Sequence, residues 1–367
     1  MKFINKNILL ISSEPWGENF ISKHHYALEL SKSNKVYFLN PPSANFSINQ
    51  VNKNLIIVDY KHIFRGINRL PSYLRDTINA MSIQRIKKLI QVFSFDIIWT
   101  FDPFRFQNLS LFKSPFLIYH PVDIHNTPLE KEITCSAHLI LTTCDFIKKK
   151  LESYNSNIYN IGHGVSEYFL NKPSRVYKRS DKVKACMMGN LQRKIDYPSL
   201  FSLIKKHPEV EFHFIGPLKS SNLSKSIMHS FEIEKLNSFA NTYLHGSVPQ
   251  DQLPAWLNQM DIFLILYRDD ENPASRANPH KVLEFLSTGK IILSYYMEEY
   301  SNHDELLVMV KEKDKLQSKF REIIDKIEFF NDKDKMGIRI EFVKKHTYAN
   351  KLFEITTLCN SHVSENK

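Results

Sequence analysis

Short apolar runs alternate with longer stretches of mixed polarity along the first half of the chain. Seven such runs lie at residues 8–12, 36–39, 55–58, 97–100, 116–119, 139–142 and 158–161. Short, nearly continuous apolar runs predict strands that are buried on both faces, which is typical of a parallel sheet. Residues 21–31 and 72–93 instead carry apolar side chains at helical spacing. The pattern therefore predicts an α/β domain.

The second half of the chain repeats this alternation. The strands predicted there lie at residues 183–188, 211–215, 242–244, 262–267 and 291–294, and the helices at residues 198–206, 253–260 and 279–287. A polar, basic stretch at residues 166–182 is interpreted as a linker between two domains, at residues 1–165 and 183–338. Two such domains in series are expected to bind a ligand in a cleft between the carboxyl ends of their strands.

Composition and cysteine placement exclude several classes of protein. A chain of 367 residues that is 43% hydrophobic and 24% charged fits two globular domains. No apolar run approaches the roughly 18 residues of a membrane span, and the run at residues 8–11 is too short for a signal peptide. Cys135, Cys144, Cys186 and Cys359 form no CxxC pair. They favour reduced thiols in a cytoplasmic protein over a disulfide framework or a zinc site.

The net charge of +10 is concentrated in one segment. Residues 60–92 hold seven lysine and arginine residues against one acid, Asp76, and aromatic and aliphatic side chains are interleaved with them. Such a segment suits an anionic partner, either a membrane surface, a lipid phosphate or a nucleic acid. A pair of solvated helices with a surplus of basic residues explains the pattern equally well.

The helix predicted around residues 279–287 carries the most informative pair of polar side chains. Asn278 is a favourable N-cap, and Gly289 is a favourable stop after the last turn. Lys281 and Glu284 are three residues apart and therefore share one side of the helix. A lysine beside a helix N-terminus favours phosphate, and a glutamate one turn on can accept hydrogen bonds from a ribose diol. The alternative is an exposed ion pair that contributes little.

A second candidate segment follows the strand predicted at residues 183–188. Gly189 and Asn190 come directly after the strand, and Arg193 and Lys194 follow after two intervening residues. A glycine at a strand end allows a ligand to approach the backbone, and the two basic side chains can reach a diphosphate. We therefore assign all four residues, with Lys281 and Glu284, to binding of a nucleotide donor.

These segments resemble those of bacterial GT-B glycosyltransferases, family four and its relatives. Residues 279–290 are similar to that family's Pro-x-Lys-x-x-Glu-Tyr-Leu-Ala-x-Gly-Lys stretch, residues 160–165 resemble its turn before the linker, and residues 245–267 resemble a further segment. Residues 339–358 resemble the closing helix that crosses back to the first domain, which we place at residues 339–362. The resemblance implies two Rossmann-like domains facing across a cleft, in an enzyme that uses a nucleoside-diphosphate sugar.

The first domain resembles one branch of these enzymes at its strand ends. Residues 13–25 and 36–42 are similar to the conserved opening of that branch, and residues 118–125 resemble its Tyr-Asp-x-Val-Asp-Asp stretch. The resemblance implies that the loops near Trp16 and Asp123 face the cleft. The side chains assigned to the acceptor side are Glu14, Trp16 and His24.

Glycosyl transfer with inversion needs a base near the acceptor hydroxyl. Asp123 is the first candidate and His120 the second, with a loop aspartate and a core histidine as the alternative interpretation. The leaving diphosphate would be neutralised by Arg193, Lys194 and Lys281, without a metal ion. We expect no cofactor other than the nucleotide sugar itself.

One position departs from the family pattern. Retaining relatives carry two glutamates eight positions apart, and the second of them matches Glu284. The first would fall at Arg276, with Asp269, Asp270 and Glu271 as the nearest acids that could replace it. The stereochemistry of transfer therefore stays open.

The sequence predicts transfer of a sugar from a nucleoside diphosphate, with uridine favoured over guanosine. By resemblance, the acceptor is a glycan or a lipid-phosphate-linked glycan of a surface polysaccharide, built at the inner face of the membrane. One alternative is a nucleotide-sugar epimerase of the same fold. Another is a basic protein that binds membranes or nucleic acid without catalysis, which leaves the helix at residues 278–290 unexplained. We expect no nucleic-acid partner.

Overall fold

A computed structural model describes residues 3–17, 19–125, 127–170, 177, 181–191, 195–217, 231–268 and 277–365 of the chain, with side chains described as far as residue 360. The chain forms two compact units. Unit 1 comprises Met1–Gly162 and Tyr348–Lys367, and unit 2 comprises His163–Thr347. Each unit is built around its own parallel sheet.

Among its described residues, unit 1 contains eight strands, which are numbered in chain order. They are β1 (Asn7–Ile11), β2 (Lys35–Leu39), β3 (Ser47–Asn52), β4 (Leu55–Asp59), β5 (Ile97–Thr100), β6 (Phe116–Tyr119), β7 (Leu139–Thr142) and β8 (Ile158–Asn160). Its helices are α1 (Ser22–Ser31), α2 (Ser72–Leu89), α3 (Pro128–Ser136), α4 (Asp145–Leu151) and, from the C-terminal segment, α12 (Tyr348–Glu365). The strand order in the sheet is β3-β4-β2-β1-β5-β6-β7-β8.

Six strands lie in the described part of unit 2. They are β9 (Lys184–Met188), β10 (Glu211–Ile215), β11 (Thr242–Gly246), β12 (Ile262–Ile265), β13 (Ile291–Tyr295) and β14 (Val308–Val310). The helices described are α5 (Tyr197–Lys206), α6 (Phe231–Ser238), α7 (Leu253–Leu257), α8 (Lys281–Leu286), α9 (Lys315–Asp325), α10 (Ile327–Phe330) and α11 (Lys333–Lys344). The strand order is β11-β10-β9-β12-β13-β14.

The predicted strands form because their side chains are buried on both faces of each sheet. All four residues of β5, β6, β7 and β12 are buried. Neighbouring strands pair in parallel, as between β1 and β5. The two parallel sheets confirm the predicted α/β class with two Rossmann-like domains.

Strand β3 is an exception that the pattern did not predict. It pairs antiparallel with β4 at the edge of the sheet, and five of its six residues are exposed. An edge strand that faces solvent has no continuous apolar run, so periodicity gives no signal for it. The prediction also missed α3, whose start is fixed by Thr127 as N-cap and Pro128 in the first turn.

The closing segment differs from its predicted form. Residues 339–362 were expected to make one helix, but the structure divides them between α11 and α12, with a break at residues 345–347. At this break the backbone N–H of Val165 donates to the carbonyl of His346 at 2.8 Å. The earlier helix belongs to unit 2, and α12 packs on unit 1 through buried Tyr348 and Ile355.

Candidate functional site

The carboxyl edge of the second sheet has a point where the strand order reverses. Strand β9 pairs with β10 on one side and with β12 on the other, and the chain runs outward from this pair in both directions. Ligands of open α/β sheets bind outside the carboxyl ends of the strands at such a point. Gly189 follows β9 and Tyr267 lies two residues after β12, so both residues stand at this position.

Three glycines end the three neighbouring strands on one side of that point. The N–H of Gly189 donates to Ile215 O at 2.8 Å, and the N–H of Gly216 donates to Gly246 O at 2.8 Å. A methyl group at Gly216 would overlap the carbonyl of Gly189. The missing side chains therefore allow neighbouring backbone and side-chain atoms to approach these strand ends closely. Sequence reasoning identified Gly189 and missed the other two glycines, because their adjacency depends on strand order.

Lys281 lies over the first of these glycines. Gly189 has a φ of +123°, and a methyl group there would overlap Nζ and Cε of the lysine. The same Nζ donates to the hydroxyl of Tyr267 at 2.8 Å and lies 5.5 Å from the centre of that ring. The tyrosine thus holds the ammonium group above the backbone at the switch point, the place where the strand order reverses. Tyr267 was not among the predicted site residues.

Glu284 lies one turn further along α8 and is half-buried. Burial raises the pKa of its carboxyl group to about 7, and the positive charge of Lys281 opposes this shift. A carboxyl group with this pKa exchanges a proton near neutral pH, and its ionised form is a strong acceptor for hydroxyl donors. Two of the predicted donor-site residues therefore share one face of the same short helix.

The ends of α8 correct one prediction and confirm another. The helix has six residues and His280 is its N-cap, so the prediction of Asn278 as N-cap is wrong. The side chain of Asn278 accepts a hydrogen bond from the Tyr300 hydroxyl at 3.1 Å. Gly289 adopts a φ of +77° after the last turn, as predicted, and a methyl group there would press on Met336 of α11.

Several predicted donor-site residues lie outside the described part of the chain. They are Arg193 and Lys194, together with Arg276 and the acids Asp269, Asp270 and Glu271. Asn190 is described and is exposed after β9. Asp196 caps α5, because its carboxylate accepts the N–H of Ser199 at 3.3 Å.

The carboxyl edge of the first sheet has its own reversal of strand order, between β1 and β5. Buried Arg105 ties the strand ends together there. Its Nε pairs with Asp102 at 2.6 Å, Nη1 donates to Asn40 O at 2.8 Å and to the Tyr60 hydroxyl at 3.3 Å, and Nη2 donates to Ser12 O. Sequence reasoning missed this residue, since its partners come from four separate segments.

The loop after β1 carries two of the predicted acceptor-side residues. Half-buried Glu14 forms an ion pair with Lys23, whose side chain is fully enclosed and also donates to Ser13 Oγ at 2.8 Å. Burial tends to raise the pKa of Glu14, but the charge and hydrogen bond of Lys23 outweigh it, so that pKa is lowered. The half-buried indole of Trp16 packs edge-on against Phe38 at 5.0 Å. These contacts therefore hold the loop in one conformation.

His24, the third predicted acceptor-side residue, is buried within the wall of this loop. Its Nδ1 accepts the N–H of Ile21 at 3.1 Å, and Nε2 lies 3.2 Å from Pro15 O, which fits an Nε2–H donor. Burial lowers the pKa of His24 to about 4. The ring lies between Phe20 and Phe38. It therefore holds the loop and the start of α1 in place.

The two candidate bases follow β6 in very different surroundings. His120 is buried, and its ring stacks on Phe101 with the centroids 4.7 Å apart. Asp123 is exposed. Behind the same loop, buried Glu130 pairs with Lys150 at 3.0 Å. Of the two candidates, Asp123 is the one that a solute can contact on unit 1.

Within the described residues, no group of three or more histidine, cysteine, aspartate or glutamate side chains is arranged to hold a metal ion. No helix in the described ranges has the length and apolar character needed to span a membrane.

One protein family matches the C-terminal part of the chain. Residues 193–357 match the family model described as glycosyl transferase-like. This match begins just after Gly189 and includes Tyr267, Lys281 and Glu284. A search of curated proteins finds no match to the chain.

Solved structures resemble the whole chain at low sequence identity. Sucrose-phosphate synthase from Thermosynechococcus elongatus is 11% identical with a TM-score of 0.71, covering 98% of this chain and 100% of its own. A trehalose-6-phosphate protein from E. coli, bound with UDP-2-fluoro glucose, is 10% identical with a TM-score of 0.69, covering 96% and 98%. The lipopolysaccharide outer core galactosyltransferase in its apo form is 14% identical with a TM-score of 0.62, covering 98% and 100%.

At these identities the structural likeness establishes the fold, and the family match over residues 193–357 adds the activity class. The motifs quoted from the sequence predicted both. The chain therefore has the GT-B fold, and its residues 193–357 match the glycosyl transferase-like family.

Proposed function

We propose that this glycosyltransferase takes its sugar from a nucleoside-diphosphate sugar bound at the carboxyl edge of unit 2. The observation that carries the proposal is the position of Lys281, whose ammonium group lies over Gly189 at the switch point of the sheet. A diphosphate at these strand ends would contact the ammonium directly. Charge stabilisation of this kind at a departing anion is usually the largest single contribution to catalysis.

Glu284 completes the donor site in this proposal. A carboxylate can accept two hydrogen bonds, which matches the paired hydroxyls of a ribose. Arg193 and Lys194, on the segment after Gly189, are proposed to add positive charge at the diphosphate. We propose uridine diphosphate as the carrier. The fold relative from E. coli that is bound with UDP-2-fluoro glucose supports this choice over guanosine.

We propose a glycan or lipid-phosphate-linked acceptor, bound on unit 1 near Glu14, Trp16 and Asp123. The fold relative named a lipopolysaccharide outer core galactosyltransferase supports a lipid-linked glycan of a cell surface. Exposed Asp123 is the proposed base and needs no metal ion, with His120 second because of its burial. The basic segment at residues 60–92 is proposed to hold the enzyme at an anionic, cytoplasmic membrane face.

The donor site is tested by titration calorimetry with UDP and GDP. Wild type is compared with Lys281→Ala, Glu284→Ala and Gly189→Ala, since a methyl group at Gly189 would displace the lysine. We expect micromolar affinity for UDP and a loss of about tenfold or more in each variant, the scale of one charged hydrogen bond. The matched control is Lys205→Ala, an exposed lysine of α5 in the same unit.

Binding that is indifferent to all three substitutions would contradict the donor site, and tighter binding of GDP would replace the carrier. Incubation with UDP-sugars then separates transfer from epimerisation. A transferase releases UDP only when an acceptor is present, whereas an epimerase converts the nucleotide sugar without one.

A further inference from the structure

Strand β11 contains an extra residue close to its carboxyl end. The pairing of β10 with β11 shifts by one residue after Phe214, and the extra residue on β11 is His245. Such a bulge is rare between parallel strands, and bulges often re-aim a side chain next to a functional site. Gly246 follows with a φ of +71°, and its carbonyl accepts the N–H of Gly216 at 2.8 Å. The bulge therefore sets the position of the last of the three glycines at this edge.

The side chain of this extra residue forms a hydrogen bond with a second histidine. Nδ1 of His213 and Nε2 of His245 are 2.9 Å apart. The two rings are parallel to within 5°, and their centres are 5.2 Å apart. Because the two nitrogens are so close, the rings lie edge to edge in nearly one plane, as a linear N–H···N hydrogen bond requires. The pair therefore joins β10 to β11 at the bulge.

Neighbouring side chains hold both rings and determine which nitrogen donates. His213 is buried and stacks on Tyr243, with the ring centres 4.9 Å apart. His245 packs against Trp256 of α7, with the ring centres 4.6 Å apart. The carboxylate of Glu211 lies 3.6 Å from Nε2 of His213. Its negative charge favours a hydrogen on that nitrogen, so Nδ1 of His213 accepts and Nε2–H of His245 donates.

The hydrogen bond depends on the charge of the histidine pair. Burial lowers the pKa of both rings, and for His213 the charge of His245 lowers the pKa further. Of the described neighbours, Glu211 favours protonation of His213 and Lys184 of β9 opposes it, while α7 contributes no charged side chain. When both rings are protonated, no nitrogen between them can accept a hydrogen bond and two like charges face each other. The bond is therefore present at neutral pH and lost in acid.

We propose that His213 and His245 are positioning residues for the donor site, because their hydrogen bond holds the bulge that places Gly246. The carbonyl of Gly246 holds Gly216, and Gly216 in turn lies so close to Gly189 that a methyl group would overlap its carbonyl. A shift of β11 is thus passed across three strand ends to the switch point. The proposal rests on the proposed function, since it takes the nucleotide to bind at these strand ends.

The hydrogen bond is tested by amide hydrogen exchange of the ligand-free full chain, followed by NMR at the N–H of Gly216. His245→Phe keeps an aromatic ring against Trp256 but removes the donor, so this amide should exchange at least about tenfold faster. His245→Gln keeps an N–H donor near the position of Nε2 and should exchange as wild type does. His303→Phe is the matched control, since this half-buried histidine lies between β13 and β14, at the other end of the sheet.

A pH series tests the same bond without a disruptive substitution. Between pH 7 and pH 4.5, wild type should lose protection of the Gly216 amide relative to the unfolded chain, because the second proton breaks the bond. His245→Gln cannot bind this proton and should keep its protection, while all other titrating groups are shared by the two proteins. This comparison decides the question even if His245→Phe fails to fold. Equal pH profiles of protection in the two proteins would overturn the proposal.

Titration with UDP tests the connection to the donor site. His245→Phe should bind UDP about tenfold less tightly than wild type at pH 7, and His245→Gln should bind it normally. Unchanged exchange in His245→Phe, equally fast exchange in both variants, or faster exchange with unchanged UDP affinity would each overturn the positioning role. If wild type binds no UDP while the exchange of Gly216 changes as expected, the proposed donor site is rejected and the hold on β11 is not.

Discussion

The side chain of Glu284 shows how a single residue gains its chemistry from its surroundings. Its sequence position gives only its place one turn after Lys281. Burial on α8 raises the pKa of its carboxyl group to about 7. The structure therefore maintains a carboxyl group that is close to half ionised at neutral pH, where ribose hydroxyls would favour the ionised form.

We predict that Glu284→Gln changes the pH dependence of stability. Between about pH 4.5 and pH 7 the folded state binds more protons at this site than the unfolded state does. The contribution of Glu284 to the free energy of unfolding is thus fully present below pH 4.5 and is lost as pH rises through 7. Urea unfolding at pH 5 and pH 8 should show wild type losing about 2 to 3 kcal/mol more than the variant.

The same substitution should flatten the pH dependence of UDP affinity. In wild type, affinity is expected to rise between pH 6 and pH 8, because the carboxylate is the better hydrogen-bond acceptor. If stability and UDP affinity depended on pH in the same way in wild type and in the variant, the role given to Glu284 would be contradicted.

Helix α2 buries several polar side chains and leaves several apolar ones exposed. The residues that it buries include Arg75, Asn79 and Ser82, whereas Leu74 and Met81 are 42% and 48% exposed. The helical spacing of its apolar residues predicted the helix correctly but does not identify which side is buried. Exposed apolar side chains among exposed lysine and arginine are typical of a surface that contacts a membrane.

We predict that Lys61→Gln, Arg65→Gln and Arg69→Gln together weaken binding to vesicles that contain anionic lipid. Each basic residue near such a surface contributes about 1 kcal/mol, so the triple variant should bind at least about tenfold less tightly in a sedimentation assay. The matched control replaces Lys205, Lys206 and Lys315, all of them exposed on unit 2. UDP binding should stay unchanged in both variants. Equal vesicle binding by the two triple variants would reject the membrane contact.

At the scale of the whole molecule, the chain starts and ends in the same unit. Residues 348–367 return to unit 1 after 185 residues in unit 2. Helix α12 packs on α1, and buried Ile355 belongs to the core of unit 1. The stability of unit 1 therefore depends on a segment that is distant in sequence.

We predict that Ile355→Ala lowers the stability of unit 1 by about 2 to 5 kcal/mol, the usual effect of emptying a core site. Phe353 of the same helix is 78% exposed, so Phe353→Ala should change stability by less than about 0.5 kcal/mol. Calorimetric scans with and without UDP identify the transitions, since UDP should raise only that of unit 2. A lowered unit 2 transition in Ile355→Ala would contradict the division of the chain.

Local patterning determined much of the fold and one part of the site. Continuous apolar runs identify the buried parallel strands, because both faces of such a strand exclude water. Helical periodicity places Lys281 and Glu284 on one face of α8, since residues three apart are neighbours on any helix. The order of these segments, with the family motifs, was enough to predict the GT-B fold and the glycosyltransferase class.

Only the tertiary structure decided which distant segments meet. Tyr267 meets Lys281, Gly216 meets Gly189, and Arg105 joins four strand ends because strand order brings them together. The spacing of apolar residues indicates whether a position faces a core, but it does not indicate which distant residues pack against that position. For the same reason, the burial of His24 and the exposure of Asp123 could not be read from the sequence.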